Sequence, residues 1–473
     1  MKAELERHGI PLNPISDREI LARMKESGKI SNLAELIKPI LSGYRSNDYT
    51  IENLYAKSAE RFSGAEKMRA DAFIRIFNPV SVEYARHLND GGYIDFEEMV
   101  SRAIKYARSR NFESSYTHIL VDEFQDVTQP QANLIKSLKD QRDDTTLFCV
   151  GDDWQAIYRF TGADINLMID FESNFGDTAT CVLNETFRFN NKIADLSGAF
   201  VMRNERQIPK QIETRARTEE PRVFLSIWQS GQSQESAIIS ALQRIASMMQ
   251  SNSETVFILG RYQLDKKPID MKRISHHAHN GLKVEYMTAH GSKGREADHV
   301  IITGMTKERL GFPSGMVDDP LHNLVIEKPE EFEHAEERRL FYVSLTRAKE
   351  SVHIVAPLDR RSQFVDELVS PPDGVRYELT LEGDLVDEDR DNCPDCESGY
   401  LKQLDGKYGP FWGCSNYPYC DYKKNDASDM PPCKAPGCDG RLKRKKGKSG
   451  LFLGCTNYRK DGSGCGYSEN LPR

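Results

Sequence analysis

The spacing of apolar residues changes twice along the chain. In the first 115 residues, apolar positions recur three or four residues apart, as in NLAELIKPILSGY and YIDFEEMVSRAIKYARSR, and this period predicts helices. Short apolar runs then alternate with helical segments; the clearest runs are HILVDE, TTLFCVGDD, TVFILGRY, HVIITGM and SVHIVAP. Strands that alternate with helices predict a parallel sheet. Beyond residue 392 both patterns stop and cysteines become frequent.

We therefore expect an α/β protein with two sheet-containing domains and a cysteine-rich tail. The segment from SPPDGV to LVDEDRDN contains prolines and acids, which is typical of a linker. Two tail sequences, GCSNYPYC and GCTNYRKDGSGC, resemble each other and indicate an internal duplication. The predicted divisions are a helical subdomain at 1–70, a first α/β domain at 71–190, a second at 191–369, a linker at 370–392, and cysteine-rich units at 393–424 and 425–473.

Composition and charge refine this expectation. Of the 473 residues, 38% are hydrophobic and 29% are charged, which is typical of a soluble globular protein. No apolar run approaches the roughly 18 residues of a membrane span, and the opening MKAELERHGI has no secretory apolar core. We therefore expect a cytoplasmic protein.

The charge is distributed unevenly. From residue 391 onward there are 14 Lys and Arg against 10 Asp and Glu, so the tail is net +4 while the preceding residues carry −12. A basic tail on an acidic body fits contact with a polyanion, and it equally fits a solvated tail. Charge alone leaves both interpretations open.

The stretch LVDEFQD places two acids where an apolar strand ends. Carboxylates at the carboxyl end of a strand face the ligand crevice of an open α/β sheet. Asp122 could then hold Mg²⁺, and Glu123 could deprotonate the attacking water in nucleotide hydrolysis. For an isolated acid pair, a solvated strand end is the commoner explanation.

Neighbouring motifs change that balance. LVDEFQD is followed by VGDDWQAIYRF, LNETFRFN, VEYMTAHGSKGREADH and EERRLFYVSLTRAKE, in that order. This set resembles the motifs of superfamily 1 DNA helicases of the UvrD/Rep type, and GDDWQAIYRF is most similar to helicase IV-type members. The resemblance implies two RecA-like parallel-sheet domains, the first incomplete, with a helical N-terminal subdomain. It also implies ATP-dependent 3′-to-5′ movement on DNA with ATP and Mg²⁺ as cofactors.

The same resemblance implies roles for residues around the nucleotide. Asp122 matches the Mg²⁺ ligand and Glu123 the catalytic base. Gln155 matches the residue that senses the γ-phosphate. The remaining matches are Arg188 and Arg347, which reach the phosphates from the second domain, Phe187, which stacks on adenine, and Glu296, which contacts the ribose.

Other residues match positions that meet DNA. Trp154, Tyr158 and Phe160 lie in the GDDWQAIYRF motif, where aromatic rings can stack on bases of a single strand. Core packing is the alternative for these rings, and it remains open above all for Trp154. The residues Thr288, His290 and Lys293 match the motif that meets the DNA backbone and couples it to the nucleotide.

One expected motif has no counterpart in the chain. A motor of this type needs the phosphate loop G-x-x-x-x-G-K-[ST]. Ser27-Gly28-Lys29 is followed by Ile30, and Gly447-Lys448-Ser449 has Leu442 in place of the first glycine. We therefore expect a truncated or split helicase, a chain that works with a separate N-terminal helicase fragment, or a DNA-binding protein that is inactive alone.

Eight of the ten cysteines lie in the tail. The first four follow the pattern C-x₂-C-x₁₇-C-x₅-C, and the second four have similar spacing. Four thiolates so spaced fit a tetrahedral zinc ion, with disulfides as the alternative in a protein without an export signal. The predicted ligands of two zinc ions are Cys393, Cys396, Cys414, Cys420, Cys433, Cys438, Cys455 and Cys465.

The tail resembles the four-cysteine zinc ribbons of bacterial type I topoisomerases. The G-C-[ST]-N-Y sequence and the aromatic residue before the third cysteine carry this resemblance. It implies binding of single-stranded DNA, which interleaved aromatic and basic residues would support. The other two cysteines, Cys149 and Cys181, stand in apolar contexts, and we expect both to be buried.

Overall fold

The computed structural model describes residues 29–229, 233–279, 281–316, 319–326, 330–382, 401–406, 409–414, 422–424, 432–447, 450–459 and 464–470. The chain divides into two compact units, residues 1–383 and 384–473. In the described ranges, none of the helices combines the length and apolar character that crossing a membrane requires.

The chain begins its described part with four helices. They are α1 (Lys29–Ser46), α2 (Ile51–Arg61), α3 (Gly64–Gly91) and α4 (Phe96–Arg108). Thr50 starts α2 with a capping box, in which its side chain and that of Asn53 satisfy each other's backbone N–H groups. Leu54, Ile74 and Phe77 are fully buried in the shared core. Because α3 runs without a break through residue 70, the domain division predicted there falls inside a helix.

A small parallel sheet follows the helices. Strand β1 (His118–Val121), helix α5 (Gln129–Lys139) and strand β2 (Thr146–Cys149) form the predicted strand–helix–strand unit, and the two strands pair in parallel. Two short helices, α6 (Asn166–Ile169) and α7 (Phe171–Phe175), complete this part. We call residues 116–175 the first lobe.

The second lobe, residues 185–382, is built around a six-stranded sheet. Its strands are β5 (Val223–Trp228), β6 (Glu254–Gly260), β7 (Leu282–Thr288), β8 (Ala297–Ile302), β9 (Ala348–Pro357) and β10 (Thr380–Glu382). Every neighbouring pair in the order β10-β5-β9-β8-β6-β7 is parallel, which confirms the predicted α/β class.

The second lobe also contains a separate parallel pair of short strands, β3 (Glu185–Thr186) and β4 (Glu213–Thr214). Its helices are α8 (Asn191–Val201), α9 (Gln234–Met248), α10 (Met271–His277), α11 (Ala335–Leu345) and α12 (Gln363–Val369).

Two boundaries differ from the sequence prediction. The apolar spacing of EERRLFYVSLTRAKE predicts one helix, but α11 ends at Leu345 and β9 begins at Ala348. Strand β10 lies within the predicted linker and pairs with β5. The sheet of the second lobe therefore extends to Glu382.

The second compact unit contains two antiparallel sheets of three strands. The first has β11 (Leu401–Gly406), β12 (Gly409–Cys414) and β13 (Lys423–Lys424). The second has β14 (Leu442–Gly447), β15 (Gly450–Cys455) and β16 (Ser468–Asn470). The first hairpin pairs Leu401 with Cys414, and the second pairs Leu442 with Cys455. This equal register supports the internal duplication inferred from the sequence.

Candidate functional site

The acids of LVDEFQD lie directly after β1. Asp122 and Glu123 are both exposed. The backbone of Glu123 is left-handed, with φ 50°, a conformation that few residues other than glycine adopt. Its N–H donates to Asp122 Oδ1 at 2.8 Å, and its Oε2 accepts from Gln125 Nε2 at 2.5 Å. The turn after the strand therefore holds the two carboxylates side by side at the sheet edge.

Gln125 joins the ends of the two strands. Its side chain is 1% exposed, and its Oε1 accepts from the backbone N–H of Asp152 at 2.8 Å. A Cβ on Gly151 would lie 2.7 Å from that oxygen, so only glycine fits there without a shift. The acids after β1 and the GDDWQ turn after β2 are therefore held as one surface.

Gln155 meets the second lobe from this surface. Its Nε2 donates to Asp152 Oδ2 at 2.8 Å, and its Oε1 accepts from Arg347 Nη2 at 3.4 Å. Arg347 is 1% exposed and also donates to the carbonyl oxygen of Val343. Burial and the nearby guanidinium of Arg188 lower the pKa of Arg347 to about 10. Arg347 thus stays a cation and is held against the first lobe.

Arg188 lies on the same side as Arg347. Its Nε is 3.4 Å from Glu296 Oε2, and Lys349 pairs with the other oxygen of Glu296 at 2.8 Å. The ring of Phe187 is 75% exposed, with the guanidinium of Arg215 5.3 Å from its centroid. The structure thus brings Arg188, Arg347 and Glu296 together and leaves Phe187 open to solvent.

The ring of Trp154 faces the protein interior. It is 1% exposed, packs edge-on against Tyr342 at 5.3 Å, and donates its indole N–H to the carbonyl oxygen of Ile208 at 3.1 Å. The ammonium of Lys210 lies 5.0 Å from the ring centroid. In this structure Trp154 offers no face for a base, so packing is its observed role.

Three rings form an aromatic patch between the lobes. Tyr158 lies 6.0 Å from Phe160 and 6.2 Å from His290, and Phe160 lies 5.5 Å from His290. Phe160 is 54% exposed. Thr288, also predicted to meet DNA, accepts the backbone N–H of Gly291 at 3.1 Å and shapes the turn that carries His290.

Burial and a neighbouring cation lower the pKa of His290. Burial and the adjacent guanidinium of Arg261 lower the pKa of His290 to about 4, so the imidazole is neutral near pH 7. Arg261 is in turn held by Glu337, with Nη2 to Oε1 at 2.8 Å. Sequence reasoning gave no role to Arg261 or Glu337.

Other residues of the site also escaped the sequence analysis. Asp153 is fully buried and pairs with Lys210 at 2.5 Å across the two lobes. Asp126 contacts Lys293, whose ammonium nitrogen lies 2.5 Å from Asp126 Oδ2. Asp126 is the second aspartate of LVDEFQD, and Asp153 is the second aspartate of VGDDW. These additional acids within the two motifs are the sequence feature that could have indicated both residues.

The second cysteine-rich unit contains a candidate metal site. The sulfur atoms of Cys433, Cys438, Cys455 and Cys465 all lie within 4.8 Å of one another. Cys433 and Cys465 are 3.7 Å apart and Cys438 and Cys455 3.6 Å apart, far beyond the roughly 2 Å of a disulfide bond. The four thiols fit tetrahedral zinc.

The remaining cysteines divide into two groups. In the first cysteine-rich unit Cys414 is buried, while Cys393, Cys396 and Cys420 lie outside the described residues. Elsewhere Cys149 is half-buried, and burial raises its thiol pKa to about 12. Cys181 is exposed, so the prediction that it is buried was wrong.

Family profiles match most of the chain. The profile described as UvrD/REP helicase N-terminal domain matches residues 14–176, and that described as UvrD-like helicase C-terminal domain matches 269–357. The profile described as Topoisomerase DNA binding C4 zinc finger matches twice, at 390–429 and 433–472. These matches include the first lobe, part of the second lobe and both cysteine-rich units.

Individual relatives agree with the profiles. DNA helicase IV of Escherichia coli is 34% identical over 313 residues, covering 66% of this chain and 44% of the relative. The probable DNA helicase II homolog of Mycoplasma capricolum is 27% identical over 209 residues, 42% of this chain and 28% of the relative. ATP-dependent DNA helicase UvrD1 of Mycobacterium tuberculosis is 29% identical over 157 residues, 31% of this chain and 20% of the relative.

The chain thus spans less than half the length of these curated relatives. Its two lobes match the two helicase profiles in order, and its tail matches the ribbon profile twice. The chain contains the N-terminal and C-terminal helicase domains of the UvrD/Rep type and, at its C-terminal side, two zinc ribbons of the topoisomerase type.

Proposed function

We propose that this chain forms the hydrolytic cleft of an ATP-dependent DNA helicase that moves 3′ to 5′ along a single strand. The observation that carries the proposal is the contact between Gln155 and Arg347. Through it, a residue beside the strand-end acids meets a buried cation of the other lobe. A motor that couples hydrolysis to lobe movement needs groups from both lobes at one cleft.

Each residue of the cleft has a proposed role in ATP binding or hydrolysis. Asp122 would hold Mg²⁺, which would neutralise charge on the bound ATP phosphates. Glu123 would accept the proton of the attacking water. Arg188 and Arg347 would stabilise negative charge that develops at the phosphates, and only when the lobes are closed. Phe187 and Glu296 would contact adenine and ribose.

Single-stranded DNA would lie over the aromatic patch of Tyr158, Phe160 and His290. The exposed ring of Phe160 can stack on a base, and such stacking tolerates any sequence. The imidazole of His290 packs edge-on against Phe160 at 5.5 Å and would support that ring. The two zinc ribbons would add further contacts with the strand.

ATP hydrolysis tests this proposal. We expect single-stranded DNA to stimulate hydrolysis by the purified chain, and Glu123→Gln to lower kcat about 100-fold or more because a general base is lost. Glu172→Gln, an exposed acid on α7, is the matched control and should hydrolyse ATP like the wild type. Equal rates in wild type and Glu123→Gln would contradict the role of Glu123.

A second candidate function is DNA binding without hydrolysis by this chain alone. It is favoured by the absence of G-x-x-x-x-G-K-[ST] from the 473 residues. Zinc-dependent binding of single-stranded DNA without stimulated hydrolysis would support it. If a separate polypeptide with the phosphate loop restored hydrolysis, the chain would be one part of a two-piece motor.

A further inference from the structure

Lys293 is a largely buried cation whose ammonium group contacts residues of the other lobe. Its side chain is 10% exposed and its ammonium nitrogen lies 2.5 Å from Asp126 Oδ2. The same nitrogen donates to the carbonyl oxygen of Gln155 at 3.0 Å and lies 4.8 Å from the ring centroid of Tyr158. Lys293 comes just after β7 in the second lobe. One ammonium therefore contacts the segments that follow β1 and β2.

These contacts match what a buried ammonium requires. It has a carboxylate, a carbonyl oxygen and an aromatic face as partners, which together replace the water it has lost. Asp126 depends on the pair as well. Its Oδ1 is buried and has no hydrogen-bond partner in the part of the chain that the structure describes. Burial raises the pKa of Asp126, and Lys293 opposes that rise.

Gln155 is held at both ends by cations of the second lobe. Lys293 donates a hydrogen bond to the backbone carbonyl oxygen of Gln155, and Arg347 donates one to its side-chain oxygen. Asp152 holds the amide nitrogen of the same side chain from within the first lobe. Lys293 therefore holds the backbone of Gln155, while Asp152 and Arg347 hold its side chain.

A lysine that contacts a DNA phosphate would need that phosphate within reach of its ammonium. Here the ammonium is turned into the interface, and its nearest anion is a protein carboxylate. The neighbouring Phe160 is the exposed member of the aromatic patch. The exposed ring at this point is that of Phe160, while the ammonium of Lys293 contacts the neighbouring ring of Tyr158.

We propose that Lys293 is a positioning residue that links the two lobes, and that it does not contact DNA phosphates. Its ion pair with Asp126 and its bond to the Gln155 carbonyl set the Gln155 side chain against Arg347. The sensor of the nucleotide is thereby joined to the aromatic patch through Tyr158. This inference rests on the proposed function for its catalytic readout, and its other two readouts are independent of hydrolysis.

The salt dependence of DNA binding distinguishes a lysine that contacts a DNA phosphate from one that only links the two lobes. Lys293→Met should bind single-stranded DNA within about twofold of the wild type, with the same slope of log affinity against log salt concentration. Loss of a phosphate contact would reduce that slope by about 1. Lys283→Met, an exposed lysine on β7, is the matched control. A reduced slope for Lys293→Met alone would overturn the proposal.

A thermodynamic cycle tests the ion pair itself. Asp126→Asn and Lys293→Met should each lower the melting temperature, because each leaves a buried polar partner unmatched. The double variant should lose clearly less than the two single shifts combined. Additive shifts would overturn the proposed link. This cycle can be read whether or not the chain hydrolyses ATP, so its failure is distinct from failure of the proposed function.

Steady-state ATP hydrolysis measures how strongly DNA binding is coupled to hydrolysis, and this quantity is separate from stability. In Lys293→Met, we expect the DNA-stimulated kcat to fall at least about tenfold, while KM for ATP stays within about twofold. Lys293→Arg keeps the charge and should recover part of the stimulation. A purely structural role would lower the folded fraction and leave the stimulation ratio of the folded protein unchanged, and that result would contradict positioning.

Discussion

At the residue scale, Trp154 and Phe160 show how one motif can hold two kinds of aromatic residue. They are six positions apart in GDDWQAIYRF, yet Trp154 is 1% exposed and Phe160 is 54% exposed. The difference comes from Tyr342 and Ile208, which are distant in sequence and enclose the indole. The motif predicted both rings at the site, but it could not separate packing from stacking.

This contrast leads to a paired prediction for two variants. Trp154→Phe should lower the free energy of unfolding by about 1–3 kcal/mol, since a smaller ring replaces the buried indole and the carbonyl of Ile208 loses its donor. Its affinity for single-stranded DNA should stay within about twofold. Phe160→Ala should do the reverse and weaken binding by about 1–3 kcal/mol through lost stacking, with little change in stability.

Denaturant unfolding and a fluorescence-anisotropy titration measure both quantities on the same samples. Weaker DNA binding by folded Trp154→Phe would show that the indole reaches DNA after all. Unchanged binding by Phe160→Ala would remove the aromatic patch from the proposed DNA path.

The same limit applies to charged residues. The motif resemblance placed Lys293 at the DNA backbone, whereas its ammonium pairs with Asp126. An ion pair between residues 167 positions apart leaves no signal in a single sequence. By contrast, Asp122 and Glu123 could be predicted, because a strand followed by acids is a local pattern.

At the element scale, a polar network crosses three central strands of the second lobe. His299 on β8 bonds Glu254 on β6 at 2.7 Å and Ser351 on β9 at 2.8 Å. Ser351 also contacts His353 Nε2 at 3.0 Å. The ring of His353 is stacked 4.9 Å from that of Phe224. Short apolar runs located these strands in the sequence, but they could not reveal which buried polar residues would meet.

This network predicts acid sensitivity. Burial lowers the pKa of His353 to about 3, whereas an unfolded histidine titrates near 6.5. Between these values the unfolded chain binds more protons, so stability falls as pH falls through the window and is fully present above about 6.5. His353→Phe keeps the stacking and should shrink the stability difference between pH 7 and pH 5 by about 2 kcal/mol.

Chemical unfolding at the two pH values measures that difference. His276→Asn, an exposed histidine on α10, should leave the pH dependence as in the wild type. An unaltered difference in His353→Phe would mean that another group causes the loss at acid pH.

The helices at the N-terminal side depend on a segment from the second lobe. Leu321, Leu324 and Val325 are buried within the core of α1–α3. Arg61 of α2 donates to the carbonyl oxygens of Asn323 and Ile326. Sequence periodicity predicted the helices, but the segment that completes their core includes Asn323, which lies 262 residues beyond Arg61 in the chain.

Truncating the central leucine should therefore destabilise the helices. Leu324 is fully buried, so Leu324→Ala is expected to cost about 2–5 kcal/mol. Hydrogen exchange should show the loss first in α1–α3. Leu264, which is 46% exposed, provides the control: Leu264→Ala should change stability by no more than about 0.5 kcal/mol. Equal protection of α1–α3 in wild type and Leu324→Ala would contradict this packing.

At the scale of the whole molecule, the order of parts was predictable because each part has a local signature. Alternating strands and helices indicated the sheets, and cysteine spacing indicated the ribbons. Residues 384–473 form a compact unit of their own. In such small units the metal takes the place of a hydrophobic core.

The number of zinc ions bound per chain should fall by one for each four-cysteine site that is disrupted. We expect two zinc ions per chain, and Cys438→Ser should reduce this to one, because three remaining thiolates bind zinc poorly. The main thermal transition, which comes from residues 1–383, should remain, while the affinity of the chain for single-stranded DNA should fall. Atomic emission and thermal unfolding measure these effects. Two zinc ions retained by Cys438→Ser would contradict the four-cysteine site.

The central claim is that both lobes act on one nucleotide, with acids from the first lobe and guanidinium groups from the second. The most direct measurement is ATP hydrolysis with and without single-stranded DNA for wild type, Glu123→Gln and Arg347→Ala. We predict DNA-stimulated hydrolysis in the wild type and at least about a 100-fold loss in each variant. Hydrolysis that persists in either variant, or a wild type that binds DNA without hydrolysing ATP, would contradict the claim.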